Sequence, residues 1–204
     1  MNATDAIKAY QAATPQDPNE IKPQAIILYP DPILKKHSRP ISSADWDGSS
    51  IELRNFGYKD VPHLIDVMVA TMRAAGGAGL AAVQIGVNLD LFIVDISPDH
   101  MGLKVFINAS LSDMQGEVEF EEACLSVPGF HGTVKRSKSL TITYVDETNK
   151  PQTLQADGVM ADAIQHEFDH TRGIVYIDHL SWMKKSAIQN SLKKLRRHLF
   201  APKK

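Results

Sequence analysis

The feature that most constrains this chain is the segment 166–170, which reads His-Glu-Phe-Asp-His and matches the pattern His-Glu-x-x-His. It lies inside residues 158–171, where the apolar spacing predicts a helix. On a helix, His166 and His170 lie about 40° apart and one turn along the axis, so both imidazoles can reach one ion. Glu167 lies beside them, near enough to act on water at that ion. The alternative, a chance match on a solvated helix, is disfavoured by the apolar residues around the pair.

A catalytic site of the zinc type needs a third protein ligand and an open position for water. One extended metallopeptidase pattern continues with Gly and a third His; here Gly173 fits, but Tyr176 stands where the His is required. Residues 181–204 contain no acidic side chain that could serve instead. The third ligand is therefore expected upstream, and Cys124 is the obvious candidate. The alternative is that Cys124 binds no metal and serves only as a small buried apolar residue.

The ligand set predicts the kind of metal. A thiolate with two imidazoles suits Zn²⁺, Fe²⁺, Co²⁺ or Ni²⁺, but not Ca²⁺ or Mg²⁺.

A glycine segment, residues 77–82, matches the dinucleotide fingerprint G-x-G-x-x-A. That fingerprint must follow a strand and open a helix, whereas this segment follows a predicted helix and leads to a strand. We interpret the glycines instead as ending the helix and letting backbone approach a ligand closely. Gln84, just beyond them, carries a neutral amide that can donate a hydrogen bond to a developing oxyanion. The alternative for Gln84 is an ordinary surface side chain.

The elements do not alternate regularly between strand and helix, which favours the α+β class over α/β. We predict largely antiparallel sheets packed around the central helix that carries the His-Glu-x-x-His motif, followed by a C-terminal helix. The predicted helices cover about 60–75, 158–171 and 181–199, the predicted strands 25–29, 91–96, 104–108, 139–146 and 152–156, and a long surface loop 41–58.

Three parts of the chain are distinguished by composition. We predict an N-terminal extension over residues 1–22, a catalytic domain over 23–182, and a basic C-terminal helix and tail over 183–204. Residues 184–204 carry eight of the 22 basic side chains and no acid, while the other 14 stand against all 24 acidic residues. Such a tail can face an anionic partner such as RNA; the alternative is a solvated helix face.

Composition excludes several classes. The length of 204 residues, with 43% hydrophobic and 23% charged residues, is that of one globular domain and excludes wholesale disorder. No stretch of 18 apolar residues exists, so no transmembrane helix is expected. The N-terminus has no apolar signal core, and the single cysteine excludes an intramolecular disulfide. We expect a cytoplasmic protein.

Three segments of the chain resemble, in the same order, the sequence motifs of the peptide deformylase family: residues 77–84, 122–126 and 165–173. The segment 27–34 is similar to the N-terminal strand and turn of that family. The resemblance covers about residues 25–180.

This resemblance implies an enzyme that removes formate from the N-formylmethionine of newly made polypeptides, which are then its partners. The basic charge of residues 184–204, and not the resemblance, leads to the hypothesis that the C-terminal helix docks on ribosomal RNA. The resemblance implies one divalent metal ion, commonly Fe²⁺, with Zn²⁺, Ni²⁺ or Co²⁺ as alternatives. It also implies residue roles: Cys124, His166 and His170 as ligands, Glu167 as general base and then acid, Gln84 and the backbone N–H of Leu125 as the oxyanion hole, and Gly79 as a backbone contact to the peptide.

The chain departs from the family pattern at three positions without losing a catalytic atom. Ala123 stands where Gly is usual, Thr171 where Leu is usual, and Ala78 where a larger apolar residue is preferred. These departures bear on fine geometry and on the shape of the substrate pocket.

The helix face of His166 also carries Val159, Asp162 and Ala163, which are expected to line the pocket for the first side chain of the substrate. An acid is unusual in a methionine pocket, so we expect Asp162 at the pocket mouth or turned to solvent. Asp169 is a candidate hydrogen-bond acceptor for Arg136 or for a ligand histidine.

Two other functions compete with a deformylase. A general metallopeptidase is disfavoured by the missing downstream ligand. A non-catalytic ribosome-associated binding protein fits the basic tail, but it would have no need of the Glu167 carboxylate.

Overall fold

The computed structural model describes residues 21–194 in full and the helical backbone of 195–199. Nearly all of the predicted N-terminal extension, residues 1–22, lies outside the described residues, as does the end of the basic tail. The described part contains five α-helices: α1 Ser43–Trp46, α2 Ile51–Asn55, α3 Val61–Ala74, α4 Gly158–Thr171 and α5 Trp182–Leu199. Its seven strands are β1 Gly79–Ala81, β2 Leu91–Val94, β3 Lys104–Gln115, β4 Val118–Ala123, β5 His131–Arg136, β6 Ser139–Val145 and β7 Pro151–Asp157.

All strand pairs are antiparallel, which confirms the predicted α+β class. Five strands form one sheet in the order β1-β2-β3-β6-β7, and β4 pairs with β5 in a separate two-stranded sheet. Helix α3 covers one face of the larger sheet and helix α4 the other, each with its own apolar cluster. The helix that carries the His-Glu-x-x-His motif is therefore central, as predicted.

Helix α3 forms where the sequence predicts it. The side chain of Asp60 accepts a hydrogen bond from the His63 N–H at 2.9 Å and caps the helix, while Pro62 lies in the first turn. Leu64 and Met68, one turn apart, are fully buried against β1 and β2.

Helix α4 ends close to another part of the chain. Gly173 has φ of +73°, and a Cβ built there would lie 2.6 Å from the carbonyl oxygen of Lys35. Only glycine fits this turn, which fixes the C-terminal end of the helix on the segment before α1.

A third apolar cluster joins the two-stranded sheet to helix α5. Ile188 and Leu192 of α5 are buried in it together with Val134 of β5. The predicted C-terminal helix is thus confirmed, and one of its faces packs on the domain. No helix within residues 21–199 is long and apolar enough to cross a membrane.

Three local predictions were wrong. The segment 25–29, predicted as a strand, does not pair with another strand. Instead, the N–H groups of Ile27 and Tyr29 donate single hydrogen bonds to the carbonyl oxygens of Gln84 and Ser126, which lie far apart in the sequence. The predicted loop 41–58 contains the short helices α1 and α2. Strand β3 also continues beyond the predicted end at residue 108.

Candidate metal centre

Three side chains converge where the end of β4 meets the middle of α4. Cys124 follows β4 directly, while His166 and His170 lie one turn apart on α4. A sulfur of Cys124 and one ring nitrogen of each histidine all lie within 4.8 Å of one another. The structure thus brings together the three ligands expected from the sequence.

The donor set fits a tetrahedral metal ion. Cys124 Sγ lies 3.3 Å from His170 Nε2. Common bond lengths at a tetrahedral zinc-type ion place a sulfur and a nitrogen ligand about 3.5 Å apart, so the two separations agree. Cys124 and His170 are also buried, which removes competing water from the ligand atoms.

The surroundings of Cys124 favour its thiolate. Burial opposes ionisation, but the imidazoles of His170 and His166 outweigh it and lower the pKa of the Cys124 thiol to about 5. A thiolate is the form that binds a metal, so the site presents the cysteine in the competent state.

A network of charged side chains holds the His166 ring through its Nδ1 atom. Glu122 Oε2 lies 2.6 Å from His166 Nδ1, and Arg136 Nε donates to Glu122 Oε1 at 2.6 Å. Arg136 Nη1 also donates to Asp169 Oδ2 at 2.7 Å, and His179 Nε2 lies 2.7 Å from the same oxygen. Asp169 is therefore the acceptor for Arg136 that the sequence suggested as one alternative. Together these contacts fix the ring of His166, one of the three candidate metal ligands.

Sequence reasoning assigned no role to Glu122. Its position carried a signal, however, because residues 122 and 124 are two apart at the end of a strand and their side chains point to the same face. Burial raises and His166 and Arg136 lower the pKa of Glu122, with a net fall to about 2. Glu122 thus acts as a permanent carboxylate acceptor for the His166 ring.

Glu167 faces the cavity from the same helix. It is buried, and its Oε2 has no hydrogen-bond partner among the described residues. Burial is the main cause that raises the pKa of Glu167 to about 7. A carboxyl group with such a pKa can both accept and return a proton near neutral pH.

Gly79 makes room for this carboxylate. A Cβ built on Gly79 would lie 2.4 Å from Glu167 Oε1. Any side chain at position 79 would displace Glu167, which is a constraint that the glycine motif alone did not reveal.

Gln84 is held with its amide toward the cysteine. It is buried, and its Oε1 accepts a hydrogen bond from the Ala81 N–H at 2.7 Å. This bond turns Nε2 toward Ser126 Oγ at 3.1 Å and Cys124 Sγ at 3.5 Å. The surface alternative for Gln84 is therefore wrong, and a donor is aimed at the centre.

A cavity of about 400 Å³ opens from the centre to the surface. Its lining includes the glycine segment, Leu125, and the predicted residues Val159, Asp162 and Ala163. Asp162 is half-buried, and its Oδ1 is closed off from solvent without a hydrogen-bond partner. Asp162 therefore lines the cavity, as expected, and the buried Oδ1 contradicts a side chain turned fully to solvent, while its place at the pocket mouth stays a prediction.

The departures from the family pattern are accommodated locally. Ala123 is exposed in β4 and does not have positive φ, so its methyl group causes no backbone strain. Thr171 is fully buried, and its hydroxyl donates to the Phe168 carbonyl oxygen at 2.7 Å. Tyr176, at the failed third position of the extended pattern, stacks its ring 6.2 Å from that of His166 instead.

Comparison with known proteins gives one consistent family. The model of the family described as polypeptide deformylase matches residues 23–186. The peptide deformylase of Wolinella succinogenes is 40% identical over 84% of this chain and 96% of its own length. Peptide deformylase 2 of Xanthomonas campestris pv. campestris is 36% identical over 85% of this chain and 96% of its own length.

Solved structures agree with these sequence matches. The crystal structure of a peptide deformylase from Legionella pneumophila has a TM-score of 0.74 and 36% identity, and it covers 91% of this chain and 100% of that chain. The peptide deformylase of Ehrlichia chaffeensis in complex with actinonin has a TM-score of 0.75 and 29% identity, covering 86% of this chain and 99% of that one.

Proposed function

The chain belongs to the polypeptide deformylase family, and on that premise we propose that Cys124, His166 and His170 hold the one divalent metal ion at which it removes formyl groups. The substrate is the N-formylmethionine end of a newly made polypeptide, and the products are formate and a free amino terminus. The observation that carries the proposal is the convergence of one sulfur and two imidazole nitrogens beside Glu167, whose Oε2 has no hydrogen-bond partner in the part of the chain that the structure describes.

Iron is the metal we propose for the cell. A thiolate and two imidazoles accept Fe²⁺ as well as Zn²⁺, Ni²⁺ or Co²⁺, and the family resemblance favours Fe²⁺. A bound divalent ion would supply Lewis-acid chemistry, which acidifies water and polarises a carbonyl oxygen.

Glu167 is the proposed proton carrier. It takes a proton from the attacking water and later passes it to the amine nitrogen that leaves. Its place beside the three proposed ligands, with Oε2 unpaired among the described residues, supports this role.

Gln84 and the backbone N–H of Leu125 are the proposed donors to the oxyanion. Support for Gln84 comes from its amide, which the Ala81 N–H holds toward the centre. Such donors act on charge that develops only in the transition state and so lower the barrier rather than strengthen ground-state binding.

Gly79 is proposed to offer its backbone to the substrate peptide. Gly79 borders the cavity and lies against Glu167, so a side chain at this position would displace the Glu167 carboxylate and obstruct the approach of the substrate backbone. Formyl is the smallest acyl group, so a close-fitting site can exclude larger acyl groups by size.

Metal reconstitution tests this assignment. Protein freed of metal by a chelator and reloaded anaerobically with Fe²⁺, Zn²⁺, Ni²⁺ or Co²⁺ should bind one ion per chain and release formate from formyl-Met-Ala. Cys124→Ser and His170→Ala should lose both the ion and the activity. Full activity of either variant at the metal content of the parent would contradict the proposed ligands.

We further propose that the chain divides into three parts: an extension over residues 1–22, a catalytic domain over 23–182, and a basic helix and tail over 183–204. We propose that the basic helix and tail dock on ribosomal RNA. Ile188 and Leu192 anchor α5 to the domain, while Lys184, Lys193 and Lys194 are exposed. We also propose that the enzyme works in the cytoplasm, where new polypeptides leave the ribosome.

Charge reversal tests the docking without removing the anchor. Ribosome pelleting of Lys184→Glu/Lys193→Glu/Lys194→Glu should fall strongly and the binding of the parent should weaken with salt. Lys150→Glu, on the exposed β6–β7 turn, is the control. Pelleting of the triple variant equal to that of the parent would contradict the docking proposal.

A further inference from the structure

Gln165, directly before His166 on α4, binds the backbone just beyond the end of β5. Gln165 is buried, and its Oε1 accepts a hydrogen bond from the Ser137 N–H at 3.0 Å. Its Nε2 donates to the carbonyl oxygen of the same Ser137 at 3.0 Å and to that of Ala161 at 2.9 Å. The amide therefore pairs with both backbone groups of Ser137, as a residue of a neighbouring antiparallel strand would.

This contact lies where the pairing of β5 with β4 ends. Arg136 is the last residue of β5, and it is paired with Val118, the first residue of β4. Ser137 is one residue farther on and has no partner in that ladder. The Gln165 amide takes the place of the absent strand and fixes the peptide unit that joins Arg136 to Ser137.

A second contact joins α4 to the end of β5 one helical turn farther along. Asp169, four residues after Gln165, accepts a hydrogen bond from Arg136 Nη1 at 2.7 Å. Helix α4 thus holds the backbone of Ser137 with one side chain and the guanidinium of Arg136 with another. Because Arg136 and Ser137 are consecutive, sliding of the end of β5 along α4 would break both contacts.

The same contacts lead back to the proposed metal centre. Arg136 is buried and donates to both carboxylate oxygens of Glu122, from Nε at 2.6 Å and from Nη2 at 3.1 Å. Glu122 Oε2 in turn lies 2.6 Å from Nδ1 of His166. The contacts that leave α4 at Gln165 therefore return to it at the next residue, His166, and form a closed ring through β5 and β4. A guanidinium fork meets both oxygens of a carboxylate in one planar orientation, so the ring depends on where the backbone of Arg136 is held.

Resting on the metal centre proposed above, we propose that Gln165 is a positioning residue for it: the amide fixes the end of β5 so that Arg136 keeps Glu122 on the His166 ring. Gln165 is not among the described residues that line the cavity, so it acts on the centre only through these contacts. The role requires an amide of this length, because the side chain must accept from a backbone N–H and donate to two carbonyl oxygens at once.

The affinity of metal-freed protein for Zn²⁺, measured by competition with a chelator, tests this role. Gln165→Met keeps the length of the side chain but loses all three hydrogen bonds, and the affinity should fall by about tenfold, the lower end of the effect of losing an outer partner of a ligand histidine. Gln165→Asn keeps an uncharged amide that is one methylene too short for Ser137. It should also lower the affinity, and it provides the result if Gln165→Met does not fold.

A matched control separates this contact from the loss of any buried hydrogen bond. Thr71 on α3 is also buried, and its Oγ1 accepts from the Gln24 N–H at 2.8 Å and donates to the Val67 carbonyl oxygen at 2.7 Å. Thr71→Val should lower the free energy of unfolding in urea, as Gln165→Met should, but leave the Zn²⁺ affinity at the value of the parent.

A double-mutant cycle shows whether Gln165 acts through Glu122. In the Glu122→Gln background, where the contact with His166 is already weakened, Gln165→Met should cause little further loss of Zn²⁺ affinity. Its loss of stability in urea should remain. A loss of affinity as large in this background as in the parent would overturn the proposed route.

Failure of the proposed function gives a different result. A parent that binds no Zn²⁺ would contradict the proposed ligands and this inference together. A parent that binds one ion per chain, with an affinity that neither Gln165→Met nor Gln165→Asn changes, would overturn the role of Gln165 alone.

Discussion

Glu122 Oε2 lies 2.6 Å from Nδ1 of His166, so the carboxylate on strand β4 holds the ring of a histidine on helix α4. The two residues are 44 positions apart in the sequence, and both are buried to the extent that little water reaches the contact. Arg136 completes the arrangement by donating to the same carboxylate. The orientation of one proposed metal ligand therefore depends on the packing of the small sheet against α4.

Removal of this carboxylate should weaken the metal site. Glu122→Gln keeps the size of the side chain but loses the charge that favours the His166 tautomer, and metal affinity should fall by about 10- to 100-fold. Competition with a chelator measures the affinity. Glu121→Gln, on the same strand but exposed and paired with His131, should leave the metal affinity nearly unchanged. An unchanged affinity in Glu122→Gln would contradict the role given to this contact.

Gly79→Ala should abolish formate release. The added Cβ would lie 2.4 Å from Glu167 Oε1, so the carboxylate must leave its position. Because the substitution does not touch the three proposed ligands, metal content should stay near that of the parent. Formate release and metal content measured on the same sample check this, and an active variant would show that the position of Glu167 does not limit the reaction.

Gln84→Leu should lower kcat by about 10²–10³-fold, the usual effect of losing one oxyanion donor. Ser126→Ala removes only the neighbouring hydroxyl that the Gln84 amide also contacts, at 3.1 Å, and its effect should be much smaller. Steady-state kinetics with formyl-Met-Ala and equal metal loading distinguish the two. Equal losses in both variants would mean that the Ser126 contact, not the amide donor, matters.

Stability should depend on pH through Asp45. The guanidinium of Arg39 is the main cause that holds the pKa of Asp45 well below its usual range, while the unfolded chain has an ordinary pKa of about 3.9. The stabilisation is therefore fully present above about pH 4 and is lost as the pH falls toward the lower pKa of the folded state.

Asp45→Asn should accordingly reduce the free energy of unfolding by about 1–2 kcal/mol at pH 7, since the Arg39 side chain is one third exposed. The difference from the parent should shrink below about pH 4. Urea unfolding at pH 7, 5 and 3 measures it, with the exposed Asp66→Asn as control. A difference that is equal at all three pH values would exclude the ion pair as its origin.

Tyr176→Phe should leave the fold equally stable or raise the free energy of unfolding by up to about 1 kcal/mol. The ring is buried against His166, and its hydroxyl has no hydrogen-bond partner among the described residues. Deleting an unpaired buried hydroxyl removes a desolvation cost without removing a bond. Destabilisation by more than 1 kcal/mol in urea unfolding would show that the hydroxyl is bonded in solution.

The residues that sequence alone could bring together are those with a local or strongly patterned signal. His166 and His170 lie one turn apart on a helix, so their pairing follows from helical geometry alone. Cys124 could be joined to them only by elimination of other ligands and by resemblance. The sequence offered the contact between Arg136 and Asp169 as one of two alternatives. The contacts of Glu122 and His179 were not predicted, because they depend on how β4, β5 and the turn after α4 pack together.

The errors in secondary structure have equally specific causes. The segment 25–29 is rich in apolar residues, but single hydrogen bonds to two different turns replace a ladder. Helix α2 is hidden in a polar stretch, although Ser50 caps it through the Leu53 N–H and Leu53 is fully buried. Strand β3 continues past Asn108 because that residue adopts φ of +51° at an irregularity that the partner strand accommodates.

The central claim is that a metal centre beside Glu167 releases formate from formylated peptides. The most direct test compares formate release from formyl-Met-Ala by anaerobically prepared parent protein and by Glu167→Gln at equal metal content. The account predicts rapid release by the parent and a loss of at least about 10²-fold in kcat for the variant, as expected when a general base is removed. Release at the rate of the parent by Glu167→Gln, or none by the metal-loaded parent, would contradict it.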